Sequence, residues 1–244
     1  MKEEAKIEVE GLCRLLEEFG IEKGSRMLDF SCGIGRHSID LARRGYKVVG
    51  YDPSALFINK AKSETSKFSE LGKQIRFYNG SINDFKNILS SNNEIDFSAI
   101  IIMFTSIGYL TEDEDHRILR QLLELAKPGC ILVIQTENRD WRIKNTPNNC
   151  VYEFDTSLIN EIWEFDQYTS VAKSRSKYYH KNLDNNSLHL QLELQVRLRL
   201  YSLHELIRLL SRAGWTFVKS YGDIKRLDEV SLASPNLITV SKKG

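Results

Sequence analysis

The chain has 244 residues, of which 41% are hydrophobic and 27% charged, and its formal net charge is only +1. These values are typical of one globular domain over residues 1–244 whose core needs neither disulfides nor a metal, and the small net charge disfavours broad attraction to nucleic acid or anionic lipid. The four cysteines lack metal-binding spacing, the N-terminus is charged, and no apolar run is long enough to cross a membrane. We therefore expect a cytoplasmic protein with reduced thiols, no bound metal and no membrane partner.

Helical and strand patterns alternate along the N-terminal part of the chain. A leading helix has apolar residues at helical spacing from Lys2 to Phe19 and ends at Gly20. The predicted strands after it are 26–30, 46–51, 74–78, 95–104 and 130–136, and the predicted helices are 35–44, 54–71 and 112–126. The last two of these strands are apolar almost throughout, which is typical of strands covered on both faces. This order predicts an α/β fold with a doubly wound, mostly parallel sheet.

The pattern changes between residues 138 and 201. Helical periodicity disappears there, and short stretches alternate apolar with polar residues, most clearly from Leu188 to Leu200. Every even-numbered residue of that stretch is apolar, so we expect an antiparallel strand with these residues on one face of the sheet. Segments 159–165 and 171–181 are the expected neighbouring strands. We predict an antiparallel β-meander inserted after the fifth strand. The elements expected after it are a helix, 202–213, and two strands paired at one sheet edge, 215–221 and 237–240.

The turn after the first strand is rich in glycine. Gly33 and Gly35 let the backbone turn sharply and let a ligand touch it, and the following helix presents free N–H groups to an anionic end. Glycines alone also fit a plain tight turn. However, Asp29 ends the first strand, where it can hold the loop or an ammonium group, and Asp52 ends the second strand, where it can accept from a ribose diol. Because the third glycine of a dinucleotide motif is absent, these acids favour a smaller cofactor with a cationic amino-acid tail over NAD.

The segment LDFSCGIGRHSIDLARRGYKVVGYDPS resembles the first two motifs of the class I S-adenosylmethionine-dependent methyltransferases, in particular the small-molecule branch with sugar-amine N-methyltransferases. The likeness runs from about Leu12 to Val240. It implies a Rossmann-like seven-stranded sheet with the order 3-2-1-4-5-7-6 and an antiparallel last strand, S-adenosyl-L-methionine as cofactor and S-adenosyl-L-homocysteine as product. Several members of this branch also insert an antiparallel sheet after the fifth strand.

The resemblance also implies which residues hold the cofactor. The methionine part would lie against the first turn, that is Asp29, Ser31, Cys32, Gly33 and Gly35. Asp52 would bind the ribose, Ser81 and Ile82 would contact the adenine, and Phe104 would lie beside the sulfonium. Relatives usually have Asp at the position of Ser81, so the adenine contact is weaker here. Arg36 is our own addition to this set, because a guanidinium at the helix start can pair with the methionine carboxylate. A solvated arginine on the helix face is the alternative, and His37 is expected to pack or cap rather than to catalyse.

Methyl transfer needs mainly alignment of the reacting atoms and exclusion of water. The segment FTSIGY after the fourth strand lacks the Asn/Asp-Pro-Pro-aromatic pattern of enzymes that methylate amino groups of nucleic-acid bases, which favours a small-molecule amine or hydroxyl as acceptor. Tyr109 is the candidate catalytic group near that acceptor. We expect residues 138–201 to act as a substrate lid. Its aromatic side chains either line the acceptor pocket or form only a core, and the candidates are Trp141, Tyr152, Trp163 and Tyr178.

Three other readings stay open. An RNA-modifying methyltransferase would be favoured by a positive face made of six residues, namely Arg139, Arg142, Lys144, Lys173, Arg175 and Lys177. A non-catalytic S-adenosylmethionine-binding module and an NAD-dependent oxidoreductase are the other two. A homodimer formed through the inserted sheet is also compatible with the sequence.

Overall fold

The computed structural model describes residues 2–182 and 185–244. The helices in these ranges are α1 (Lys2–Glu18), α2 (Arg36–Arg43), α3 (Ala55–Thr65), α4 (Phe85–Ser91), α5 (Glu112–Leu125), α6 (Arg139–Asn145) and α7 (Leu203–Arg212). The strands are β1 (Arg26–Phe30), β2 (Lys47–Asp52), β3 (Ile75–Asn79), β4 (Phe97–Ile102), β5 (Ala126–Glu137), β6 (Asn149–Glu153), β7 (Ser157–Asp166), β8 (Val171–Asn182), β9 (Ser187–Arg199), β10 (Thr216–Tyr221) and β11 (Asn236–Lys242). No helix in the described ranges is long and apolar enough to span a membrane.

The main sheet has seven strands in the order β10-β11-β5-β4-β1-β2-β3. Strands β1 to β5 are parallel, and β11 runs antiparallel to both β5 and β10. Each face of the sheet is covered by helices, α1 to α3 on one side and α4, α5 and α7 on the other, so β4 is buried along its whole length. The predicted doubly wound fold, its strand order and the edge hairpin are therefore confirmed.

Some element boundaries differ from the predictions for local reasons. The fourth strand ends at Ile102 rather than at 104, because Phe104 and Thr105 both have a positive φ of 56°, which an extended strand does not allow. The helix expected over 54–71 ends at Thr65 and is followed by a short 3₁₀ turn. Helices α4 and α6 were not predicted, because seven residues make only two turns and show little periodicity.

The inserted segment forms a second, antiparallel sheet in the order β6-β7-β8-β9, which confirms the predicted meander. The expectation that all even-numbered apolar residues of β9 share one face is wrong. Tyr178 lies opposite Leu192 but Tyr179 lies opposite Leu190, so β9 contains one extra residue and Leu190 is carried to the other face with Leu188. We call the face with Trp163 the inner face and the face with Leu190 the outer face.

The inserted sheet is anchored where β9 ends. The N–H of Arg199 donates to the carbonyl of Gly108 (2.8 Å), and the N–H of Gly108 donates to Asp115 Oδ2 (3.1 Å). The hydroxyl of Tyr201 donates to the same carboxylate oxygen (2.7 Å). Asp115 thus connects α5, the loop after β4 and the chain that leaves the inserted sheet. We call the four residues Gly108, Asp115, Arg199 and Tyr201 the hinge.

Gly108 is predicted to tolerate no side chain. Its φ is +95°, and a Cβ would lie 2.2 Å from the carbonyl oxygen of Arg199. Gly108→Ala should therefore combine backbone strain with overpacking and lower the free energy of unfolding by more than about 2 kcal/mol. The matched control is Gly24→Ala, which has φ +87° but open space around the Cβ, and should lose only about 1 kcal/mol. Equal losses of unfolding free energy for the two variants, measured by urea unfolding, would contradict close packing at the hinge.

Asp115 should make stability depend on pH. Burial raises the pKa of this carboxyl to about 6, although hydrogen bonds from Tyr201 and Gly108 lower it. The folded state therefore binds a proton that the unfolded chain releases near its reference pKa of 3.8. The resulting stabilisation is complete below pH 3.8 and is lost as the pH rises through about 6, with an amplitude of roughly 3 kcal/mol.

The test is urea unfolding of the wild type and Asp115→Asn between pH 4 and pH 7. The variant should lack this fall in stability, whereas Asp113→Asn, an exposed position on the same helix, should retain it. Parallel pH profiles for the wild type and Asp115→Asn would show that the carboxyl is not protonated in the folded protein.

Candidate active site

The glycine-rich turn between β1 and α2 adopts a left-handed backbone at three positions. Ser31, Gly33 and Gly35 have φ values of 63°, 57° and 76°. A Cβ on Gly35 would lie 2.8 Å from the ring of Phe77, so glycine lets α2 pack closely on the sheet. A Cβ on Gly33 would meet no atom within 4 Å, so the backbone there borders open space on the ligand side.

Asp52 joins this turn to the end of β2. Its Oδ2 accepts from the N–H of Gly33 and its Oδ1 accepts from the N–H of Ser54, both at 2.8 Å. The side-chain amide of Asn79 donates to the Asp52 carbonyl at 2.9 Å, which brings in the end of β3. A carboxylate has about four lone-pair sites, so Asp52 can still accept two further hydrogen bonds.

Asp29 is more deeply placed than the sequence indicates. It is buried at the end of β1 and accepts from the hydroxyl of Ser38 on α2. Burial raises the pKa of Asp29 and the nearby charge of Asp52 adds to it, while His37 and Ser38 oppose the shift. Asp29 thus fixes the first turn of α2, and its contact with a ligand stays a prediction. Cys32 is buried beside these acids, and burial likewise raises the pKa of its thiol, which makes it a structural residue and no nucleophile.

Phe104 lies at the end of β4 with 45% of its surface exposed. The guanidinium of Arg36 stacks on its ring at 3.7 Å, and the buried ring of His37 lies 5.4 Å away. His37 Nε2 is also 3.5 Å from Glu8 Oε2 of α1. Neither interpretation of Arg36 from the sequence includes this ring contact, and pairing of Arg36 with the methionine carboxylate stays a prediction.

Ser81 and Ile82 lie in the turn after β3, at the same edge of the sheet. The carbonyl of Ser81 accepts from the Tyr51 hydroxyl at 2.8 Å, and its Oγ accepts from the N–H of Asn83 at 3.2 Å. Ser81 is exposed with its hydroxyl proton free to donate, whereas Ile82 packs against the core. A ligand ring nitrogen would suit Ser81 better than an amino group.

A cavity of about 280 Å³ lies between this sheet edge and the inner face of the inserted sheet. Its walls include three of the residues predicted from the sequence, Phe104, Tyr109 and Trp163. Trp141, Tyr152 and Tyr178 do not line it: Trp141 is on α6, and the two tyrosines lie farther out along the inserted sheet. Tyr109 is well exposed, and partial burial together with the charge of Glu137 raises the pKa of its hydroxyl. Tyr109 therefore suits hydrogen-bond donation and not general-base catalysis.

The cavity also contains charged residues that were not predicted. Glu137 ends β5, Arg142 lies on α6, and Glu161 projects from β7. Arg142 Nε is 3.3 Å from Glu137 Oε2, and its guanidinium lies 5.5 Å from the ring of Trp163. The rule that selected Asp29 and Asp52, an acid at the end of a parallel strand, also applies to Glu137. No comparable signal marks Glu161, because its position depends on how the inserted sheet docks.

Comparisons with known proteins agree with this geometry. Mouse (Mus musculus) glycine N-methyltransferase is 27% identical over 187 residues, covering 71% of this chain and 59% of that protein. The chain spans only 54% to 59% of the length of the first curated relatives that it matches. Among solved structures, an S-adenosylmethionine-dependent methyltransferase from Clostridium acetobutylicum superposes with a TM-score of 0.80 at 14% identity, covering 98% of this chain and 92% of that one. The CcbJ methyltransferase of Streptomyces caelestis also gives 0.80, at 18% identity and with 98% and 89% covered.

These structural likenesses show the fold. The sequence model described as a methyltransferase domain matches residues 2–220, which is most of the chain and includes the turn, the cavity and the inserted sheet. The chain therefore belongs to the methyltransferase domain family.

Proposed function

We propose that the protein transfers a methyl group from S-adenosylmethionine to an amine or hydroxyl of a small molecule. The observation that carries this proposal is the position of Asp52, which holds the glycine-rich turn through backbone hydrogen bonds at the same edge of the main sheet as the cavity. Family membership supports the reaction type. The name of the mouse relative, a glycine N-methyltransferase, supports a small amine as one class of acceptor.

The donor set of the turn fits this cofactor. Asp52 would accept from the ribose diol, and the open backbone at Gly33 would meet the amino-acid part. Ser81 and Ile82 would flank the adenine. S-adenosylmethionine supplies an electrophilic methyl group on a positively charged sulfur. Phe104 contacts Arg36 beside the turn and also lines the cavity, so this ring would mark the boundary between cofactor and acceptor.

The residues of the cavity would orient the acceptor and exclude water. Tyr109 keeps its proton at neutral pH and donates a hydrogen bond, whereas the Glu137 carboxylate can accept a proton from an incoming amine or hydroxyl. Trp163, Val196 and Leu198 of the inserted sheet close the side opposite Phe104. The inserted sheet thus serves as the lid of the site.

Three of the six basic residues named for an RNA substrate form ion pairs, which interrupts the positive face that the six would make. Arg139 pairs with Asp140 and Glu205, Arg142 pairs with Glu137, and Lys177 pairs with Glu193. Neutralised cations contribute little to phosphate binding. This charge distribution favours a small acceptor over RNA.

Calorimetric titration should detect binding of S-adenosylmethionine and S-adenosylhomocysteine but not of NAD. Asp52→Asn should lower the affinity for S-adenosylhomocysteine at least about tenfold, because an amide would direct an N–H toward one of the backbone donors that the carboxylate now accepts from. Asp40→Asn is the matched control, since Asp40 lies on α2 and pairs with Arg43 instead of the turn. Thermal melting verifies folding of both variants. A wild type that binds neither adenosyl compound would refute the cofactor assignment.

Turnover separates an enzyme from a binding module. Incubation with S-adenosylmethionine and a panel of small amines, phenols and transfer RNA, followed by mass spectrometry, should give S-adenosylhomocysteine and a product 14 mass units heavier from a small acceptor. Product from transfer RNA alone would favour the RNA-modifying reading. Binding of the cofactor with no turnover on any acceptor class would favour the non-catalytic module.

A further inference from the structure

The inner face of the inserted sheet contains a groove along its β8 strand. On this face β8 carries three successive small side chains, each opposite larger ones on the neighbouring strands, and then the larger Tyr178, which lies between Ile159 and Leu192. Residues paired across strands share a face of the sheet. The three rows, each read from β7 through β8 to β9, are Phe165-Ala172-Leu198, Trp163-Ser174-Val196 and Glu161-Ser176-Leu194. We call this trough, floored by Ala172, Ser174 and Ser176, the inner groove.

The inner groove continues directly from the cavity. Ala172 and Ser174 line both of them, so the floor is shared. Along β9 the wall becomes steadily more exposed, from buried Leu198 through Val196 (37%) and Leu194 (42%) to Leu192 (48%). Two residues of a strand advance about 7 Å, so the apolar wall extends roughly 20 Å outward from Leu198, whereas the floor of small residues from Ala172 to Ser176 extends roughly 14 Å. The cavity thus continues into a groove that is open to solvent and ends on the apolar side chains of Ile159, Tyr178 and Leu192.

Glu161 lies where the cavity and the inner groove meet. Its carboxylate is half-buried beside Trp163 and lines the cavity, yet it forms no hydrogen bond or ion pair within the described parts of the chain. Glu137, by contrast, is paired with Arg142. A partly desolvated carboxylate beside apolar side chains raises the free energy of the folded state unless a cation approaches it.

We infer that the acceptor is an amphiphilic amine, whose ammonium end pairs with Glu161 and whose unbranched apolar chain lies in the inner groove. The nitrogen is directed into the cavity toward Phe104 and Tyr109, and the chain runs outward past Leu194 onto Tyr178 and Leu192. Before transfer the ammonium gives one proton to the Glu137 carboxylate. The neutral nitrogen then forms its bond to the methyl carbon as the bond from that carbon to the sulfonium sulfur breaks, and the methylated ammonium stays paired with Glu161. This inference rests on the proposed function, because it names the acceptor of the same site. A polar acceptor such as glycine would leave the apolar wall of the groove exposed.

The test uses the full chain saturated with S-adenosylhomocysteine and titrated with n-octylamine, n-butylamine and 1-octanol. We expect octylamine to bind at least tenfold more tightly than either of the other two. Glu161→Gln should reduce octylamine affinity at least tenfold and leave 1-octanol unchanged. Glu164→Gln should have no effect, because Glu164 lies three residues farther along the same strand and on its outer face.

A second pair of variants tests the groove itself. Ser176→Phe should fill the floor and abolish the preference for octylamine over butylamine, whereas Arg175→Phe on the outer face should preserve it. Affinity for S-adenosylhomocysteine should stay within twofold in all four variants. This readout separates the two proposals: a wild type that does not bind S-adenosylhomocysteine refutes the proposed function, and one that binds it without preferring octylamine refutes only the amphiphilic acceptor.

Two further outcomes would overturn the inference. Equal losses in Glu161→Gln and Glu164→Gln would show that the carboxylate acts only through overall charge. A dimer in sedimentation that Leu194→Asp dissociates, while Leu190→Asp on the outer face does not, would place a second copy of the chain in the inner groove. Otherwise a homodimer through the inserted sheet stays a prediction, with β9 as the edge strand that would pair.

Discussion

The site depends on one carboxylate that accepts two backbone hydrogen bonds. Asp52 is only 6% exposed, and such a charge is stable because the N–H groups of Gly33 and Ser54 replace the water it has lost. The parallel pairing of β1 with β2 brings the two turns together at the same edge of the sheet. The glycine-rich turn is therefore fixed by a buried carboxylate at the end of β2.

A second carboxylate close to the first has a different environment. Asp29 lies one strand away, and both burial and the charge of Asp52 favour its protonated form. Ser38, whose hydroxyl it accepts from, and the nearby His37 belong to α2, so this acid orients that helix. The two acids are similar in sequence, yet one holds the glycine-rich turn and the other holds α2.

Much of the main sheet was predictable because its signals are local. The unbroken apolar run of β4 and the glycines at 33 and 35 specify a buried strand and a sharp turn without reference to distant residues. The face of Leu190 was not predictable, since strict alternation in a sequence cannot reveal the extra residue that β9 accommodates opposite Tyr178 and Tyr179. The stacking of Arg36 on Phe104 joins residues 68 positions apart and follows only from the packing of α2 against β4.

The cavity is built on different supports from the glycine-rich turn. Asp115 holds the loop after β4 and the exit of β9, and it is far along the chain from the bonds that Asp52 makes at β1, β2 and β3. Phe104 is the residue common to both regions, because it packs on α2 and also lines the cavity. Changes in the inserted sheet can therefore alter the shape and charge of the cavity while the hydrogen bonds of Asp52 remain the same.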